Sequence, residues 1–208
     1  MTSYTEQASQ LKKQYTARLE ALRNRRDLSD EGRKRQIAKL QVETKDAMRK
    51  LAQANNEATE QRQRRLLDRV FGTTGALPSQ IVAQRDAMDR AAKIKTADEA
   101  AKALELARFT GDHTLAKAIA MRTYDFATGD RAISGEWVDV LNRWAQDEAP
   151  AIDEALTELS QIHADQAAPS TRLTQGMQFS IPDPSELAGK NADMLARSAD
   201  TDDLPEAG

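Results

Sequence analysis

The chain of 208 residues contains no cysteine and only two histidines, so a disulfide scaffold, a thiolate metal site and a cysteine nucleophile are excluded. Hydrophobic residues make up 39% and aromatic residues only 4% of the chain, a composition that favours helices over sheets. The net charge of −3 conceals a gradient, because residues 1–71 carry 17 basic and 10 acidic side chains whereas residues 148–208 carry 3 and 12.

The N-terminal region, residues 1–71, predicts a helical hairpin. Apolar side chains recur every three or four residues between positions 4 and 22, and again between positions 37 and 51, so each set lies on one face of a helix. Ser29 is in position to cap a second helix that begins near Asp30. Folding the chain back at this turn brings the two faces together as an antiparallel hairpin with a coiled-coil-like seam.

The second helix is expected to continue beyond the hairpin as an exposed arm. Residues 52–65 contain no large apolar side chain, so this stretch cannot bury a hydrophobic stripe. It is expected to be solvated or to contact a polar partner. Clustered arginines can neutralise phosphates, and the polyanion contacts expected at the end of this arm are Arg62, Arg64, Arg65 and Arg69.

A linker and a helical bundle follow the arm. Two glycines and a proline mark residues 72–78 as the linker, and residues 79–163 predict a plain antiparallel bundle, with tetratricopeptide-type packing as the alternative. Ser79, Thr96 and Ser134 are placed to start its helices. The two tryptophans, Trp137 and Trp144, are expected to anchor its core. The large apolar side chains on its third and fourth helices are Ile81, Val82, Met88, Leu104, Leu106 and Phe109.

The helical spacing of apolar residues ends after His163. Residues 164–208 therefore predict an extended acidic tail, in which a short helix follows Ser185. The tail contains one apolar stretch whose two prolines impose extended geometry. Such a stretch is typical of a docking segment, expected to bury in a groove of a neighbouring subunit, and packing on the chain's own bundle is the alternative. The residues expected to dock are Phe179, Ile181, Pro182, Pro184 and Leu187.

No catalytic, cofactor or metal site is expected. His113 follows Asp112 in the first turn of a helix, where it is expected to be solvated, and His163 is expected to stabilise a helix end as a cation. Neither acidic pair, Asp147-Glu148 nor Asp202-Asp203, lies on a predicted buried wall that would shift a pKa. The sequence therefore favours a protein that is not an enzyme and has no small-molecule substrate.

The expected location is the cytoplasm, because residues 1–10 lack the regions of a signal peptide and no apolar run is long enough to span a membrane. The expected partners are other protein subunits, through ends of opposite charge that suit head-to-tail self-association or separate partners. Solvation alone is the other explanation of the charge gradient. The alternative function is a nucleic-acid-binding adaptor that uses the arginine-rich arm.

The predicted hairpin turn carries a family resemblance. Leu28-Ser29-Asp30-Glu31-Gly32-Arg33, with Ile37 four positions on, resembles a segment of small helical structural or assembly proteins of tailed phages of actinobacteria. Such proteins combine long helical arms with a charged terminal segment that docks on the shell or portal. The resemblance implies an assembly role beside capsid or portal subunits, location in the virion, and docking through the stretch around Phe179. Because an acidic tail differs from the usual basic C-terminus of scaffold proteins, a connector-associated role is implied beside a scaffold-like one.

Overall fold

The computed structural model of the protein describes residues 3–72, 77–129 and 135–201, with only the backbone at positions 200 and 201. Within these ranges the chain forms α-helices, one 3₁₀ helix at Ser185–Leu187 and no strand, which confirms the predicted all-α class. The helices are α1 (Tyr4–Arg23), α2 (Asp30–Phe71), α3 (Pro78–Ala91), α4 (Ala97–Thr110), α5 (His113–Thr128), α6 (Gly135–Gln146), α7 (Pro150–Ala167), α8 (Pro169–Gln178) and α9 (Ala192–Thr201).

Side-chain caps explain several helix starts. Ser29 Oγ accepts a hydrogen bond from the Gly32 N–H at 3.0 Å, which confirms the predicted cap of α2. Thr96 caps α4 in the same way, as predicted. The prediction for Ser79 is wrong, because α3 begins one residue earlier at Pro78, whose fixed φ suits the first helical position. Ser134 lies outside the described residues.

The chain divides into two compact units. The first takes the described residues of Met1–Glu60 and Ala168–Gly208, and the second comprises those of Gln61–Ala167. These boundaries differ from the predicted ones at residues 72–78 and after His163. The end of α2 belongs to the second unit because its apolar side chains are buried there, and glycine and proline mark only a break between helices.

In the first unit, the predicted apolar faces of α1 and α2 are buried against each other. Tyr15 and Leu19 share a core with Ile37, Leu40 and Met48. The last turns of α1 and the early turns of α2 line one groove. We call α1 and residues 30–60 of α2 the N-terminal helix pair.

In the second unit, α5 packs against α3, α4 and α6. Trp137 and Trp144 are buried, as predicted, and the ring of Trp144 stacks on Phe71 with 5.8 Å between centroids. The large apolar side chains of α3 and α4 are only partly buried. The small side chains of Ala87 and Ala91 face the core of this unit, and the large ones that remain exposed are Ile81, Val82, Met88, Leu106 and Phe109.

The C-terminal segment, residues 168–201, is more helical than predicted. Pro169 opens α8 where an extended tail was expected, and α7 continues four residues beyond His163 to Ala167. The anticipated short helix appears as the 3₁₀ turn followed by α9, because Gly189, with φ of +70°, adopts a left-handed conformation between them. The stretch around the two prolines lacks regular structure, as expected.

Candidate functional site

The candidate site of the first unit is a groove on the N-terminal helix pair. Residues 179–187, which we call the docked peptide, occupy this groove. Ile181 and Leu187 are 8% and 5% exposed and belong to the core formed by α1 and α2. Phe179 packs against the edge of that core. The peptide therefore occupies an apolar groove of its own chain.

An ion pair with two parallel hydrogen bonds fixes one end of the docked peptide. Arg23, the last residue of α1, donates from Nε to Glu186 Oε1 at 2.6 Å and from Nη2 to Oε2 at 3.0 Å. These hydrogen bonds lower the pKa of the Glu186 carboxyl to about 2 and raise the pKa of the Arg23 guanidinium. Glu186 is therefore ionised at neutral pH, and the paired geometry fixes its orientation.

A second polar contact holds the middle of the docked peptide. Asp183 Oδ1 accepts hydrogen bonds from Gln41 Nε2 at 2.5 Å and from Lys45 Nζ at 2.7 Å, both on α2. Gln41 is buried and 1% exposed, whereas Asp183 and Lys45 are largely exposed. The buried amide gives this contact its direction, and the lysine adds a screened surface attraction.

Basic groups also bind the flanks of the docked peptide. Lys12 Nζ on α1 donates to the Met177 carbonyl oxygen at 2.7 Å, where α8 ends. On the other flank, Lys190 Nζ lies 3.9 Å from Glu31 Oε1 at the start of α2. Most of these contacts join a basic N-terminal group to an acidic or carbonyl group of the C-terminal segment, in keeping with the charge gradient of the sequence.

The floor of the groove contains two polar atoms that find no hydrogen-bond partner within the described chain. They are the hydroxyl of Tyr15 and the carbonyl Oε1 of Gln41, both on buried side chains. Burial is the main reason why the pKa of Tyr15 is raised, and the charge of Asp183 acts in the same direction. The docked peptide thus leaves these two polar atoms of its groove without a hydrogen bond.

The structure brings the predicted docking residues together on the N-terminal helix pair. Ile181, Pro184 and Leu187 are buried, Phe179 is half-buried and Pro182 is exposed. Within the chain, the groove is formed by the N-terminal helix pair and not by the predicted bundle, which corrects the alternative of packing on that bundle. The physical reason is complementarity within one chain, because the helix pair supplies apolar surface together with the polar groups that hold Asp183 and Glu186.

The four arginines predicted to contact a polyanion lie on the last part of α2, in the second unit. Arg62 forms an ion pair with Glu158 of α7, and Arg64 also has an interaction partner. Arg65 and Arg69 are exposed. Part of the positive charge of this stretch is therefore balanced by the chain's own groups.

A cavity of about 500 Å³ in the second unit lies among α5, α6 and α7 and is lined by His163, Tyr124 and leucines of α6 and α7. His163 Nε2 lies 2.7 Å from the Tyr124 hydroxyl and 3.2 Å from Gln63 Nε2, within hydrogen-bonding distance of both groups. Burial lowers the pKa of His163 and raises that of Tyr124 to about 12. His163 thus lies inside α7 and not at the helix end that the sequence predicted, and its burial disfavours the charged ring.

The described residues hold neither a metal cluster nor a membrane span. No group of three or more histidine, aspartate or glutamate side chains is placed to hold a metal ion within the part of the chain that the structure describes. The helices of that part include none that combines the length and apolar character needed to cross a bilayer. The pair Asp202-Asp203 lies outside the described residues.

Comparison with known proteins adds no relative. No protein-family model matches the chain, and neither a curated protein nor a solved structure matches it at a significant level.

Proposed function

We propose that the protein is a non-enzymatic assembly factor that makes protein–protein contacts in a multi-subunit particle, of the kind that builds the head of a tailed phage. The observation that carries this proposal is the docked peptide on the N-terminal helix pair. A groove that binds an extended acidic peptide through apolar side chains and oriented ion pairs is a peptide-recognition surface.

The distribution of charge supports an assembly role. Residues 1–71 have a net charge of +7 and residues 148–208 one of −9, and the ion pairs of Arg23 and Lys45 join basic groups of the first region to acidic groups of the second. Complementary charges accelerate encounter and select the orientation of partners. The ion pairs within one chain thus use the complementary charges that contacts between subunits require.

The exposed apolar face of α3 supports further protein contacts. Ile81, Val82 and Met88 are exposed, while α3 is buried through Ala87 and Ala91. Large apolar side chains that share one exposed helix face are typical of surfaces that other proteins cover. The resemblance of residues 28–33 to phage assembly proteins points in the same direction.

Light-scattering mass of the purified chain, measured across a wide range of concentration at low and moderate salt, tests this function. We expect masses above the 23.0 kDa of one chain, and a mass that falls as salt screens the charged contacts. A chain that remains single at every concentration, and that also fails to join particles when expressed with capsid and portal subunits of an actinobacterial phage, contradicts the proposal.

A further inference from the structure

One helix of the C-terminal segment is poorly supported within a single chain. None of the ten residues of α8 is buried, and Leu173 and Met177 are 67% and 66% exposed. Helices of about this length are marginal in water unless they pack against something. On α9, Met194 is also largely exposed. The helices that flank the docked peptide therefore present an apolar surface that the single chain leaves uncovered.

The connection into the C-terminal segment is short. Ala168 alone separates α7 from α8, and its φ of −69° and ψ of 121° are the extended values that Pro169 requires of its predecessor. The boundary between the two compact units falls at the same place, between Ala167 and Ala168. One extended residue at a unit boundary is a connection about which a terminal segment can be exchanged between copies.

From these observations, and on the basis of the proposed function, we infer that the N-terminal helix pair binds the C-terminal segment of a second copy of this chain. Two copies then exchange residues 168–201 reciprocally, and each groove contains the docked peptide of the other. The second copy is the occupant with the required charges, because its acidic segment carries the same Asp183 and Glu186 that fit the basic helix pair.

Reciprocal exchange also limits the size of the assembly. Each copy offers one groove and one segment, so exchange between two copies satisfies both and closes a two-fold dimer. Like-charged ends repel, which favours the arrangement in which each acidic segment meets the basic helix pair of the other copy. The exposed side chains of α8 and α9 are then brought next to a second copy that can cover them.

A charge-exchange experiment separates docking within a chain from docking between chains. The variant Arg23→Glu places two carboxylates opposite each other within one chain, and the variant Glu186→Arg places two guanidinium groups there. Neither variant therefore forms the pair with itself. A dimer in which one variant exchanges segments with the other brings opposite charges together in both of its grooves. In one groove the unaltered Arg23 meets the unaltered Glu186. The other groove joins the two introduced side chains, which are again of opposite charge, so both pairs are restored.

We expect native mass spectrometry of the two variants, differently tagged and co-expressed, to give a heterodimer of two 23.0 kDa chains at several-fold higher abundance than either homodimer. The double variant Arg23→Glu/Glu186→Arg is the matched control, since it restores the pair in every arrangement and should behave like the unaltered chain. Lys45→Glu with Asp183→Lys supplies a second complementary pair at exposed positions, in case the first pair disturbs folding.

Two results overturn the inference: a mixture in which both pairs of variants remain single chains, or homodimers as abundant as the heterodimer. These results are distinct from failure of the proposed function. If the unaltered chain forms oligomers and the mixtures do not, the assembly role stands and the exchange is wrong. If the mixtures pair while the unaltered chain neither forms larger oligomers nor joins particles, the exchange is correct and the assembly role is wrong.

Discussion

Arg23 and Glu186 meet across 163 positions of sequence, and both oxygens of the Glu186 carboxylate are bound by the guanidinium. The pair joins the last residue of α1 to the 3₁₀ turn of the docked peptide. Glu20 shares the same guanidinium, from Arg23 Nη1 to Glu20 Oε1 at 2.7 Å, so the arginine is held from its own helix as well. Because this ion pair requires an ionised Glu186 carboxylate, the stability of the first unit depends on pH.

Replacing Glu186 by glutamine should remove an acid-sensitive contribution to the stability of the first unit. The pKa of this carboxyl is lowered from 4.5 to about 2, so its contribution is complete above pH 4.5 and is lost as the pH falls towards 2. The free energy of urea unfolding of the unaltered chain should exceed that of Glu186→Gln at neutral pH, and the difference should vanish in acid. A difference that stays constant across this range would contradict the prediction.

Replacing Ile181 by aspartate should destabilise the first unit rather than act only on a partner. The Ile181 side chain lies in the core that the docked peptide shares with α1 and α2. Its replacement removes the apolar burial of the isoleucine and takes a carboxylate out of water, a cost of about 3 kcal/mol. Denaturant unfolding followed by helical circular dichroism measures the loss. Ser180→Asp adds the same charge at the exposed neighbouring position and should stay within about 0.5 kcal/mol of the unaltered chain.

Leu159 and Leu106 form a matched pair for the second unit, because the same truncation removes a buried side chain at one position and an exposed one at the other. Leu159 is fully buried on α7, so Leu159→Ala should cost about 2–5 kcal/mol. Leu106 is 61% exposed on α4, so Leu106→Ala should change stability by less than about 0.5 kcal/mol. Equal losses at the two positions would mean that α4 packs differently from the structure described above.

His163 should titrate below 6.5, because its burial in the second unit disfavours the charged ring. The unfolded chain then binds more protons than the folded one, so this unit loses stability as the pH falls below 6.5 towards the pKa of the folded state. The imidazole C–H chemical shifts in a His113→Asn background report this single titration. A midpoint above 6.5 would contradict the prediction.

Local physical signals predicted the helices with the strongest patterns. The spacing of Ile37, Leu40 and Met48 identified the buried face of α2, and Ser29 identified its start, because both depend only on neighbouring residues. The same local logic failed for α3. Its large residues near position 81 have the periodicity of a core face, but the small side chain of Ala87 occupies a core position instead.

The candidate site was predicted in part. The prolines and alternating apolar residues between positions 179 and 187 identified the docked peptide. The groove that binds it could not be predicted in this way, because it is formed by α1 and α2, which are more than a hundred residues away in sequence. The one available signal was the opposite charge of the two ends, which pointed to association without naming Arg23 or Gln41. The polar composition of residues 169–178 led to the prediction of an extended tail where α8 forms. Pro169 and the four-residue spacing of Leu173 and Met177 do favour a helix there.

The order of the segments that form the first unit has a consequence for biosynthesis. A ribosome makes the N-terminal helix pair first, then the whole second unit, and only afterwards the docked peptide. At ordinary elongation rates the groove waits on the order of ten seconds for its own peptide. During that interval the groove of every nascent chain is open to finished chains nearby, so neighbouring ribosomes on one message would favour pairing between copies.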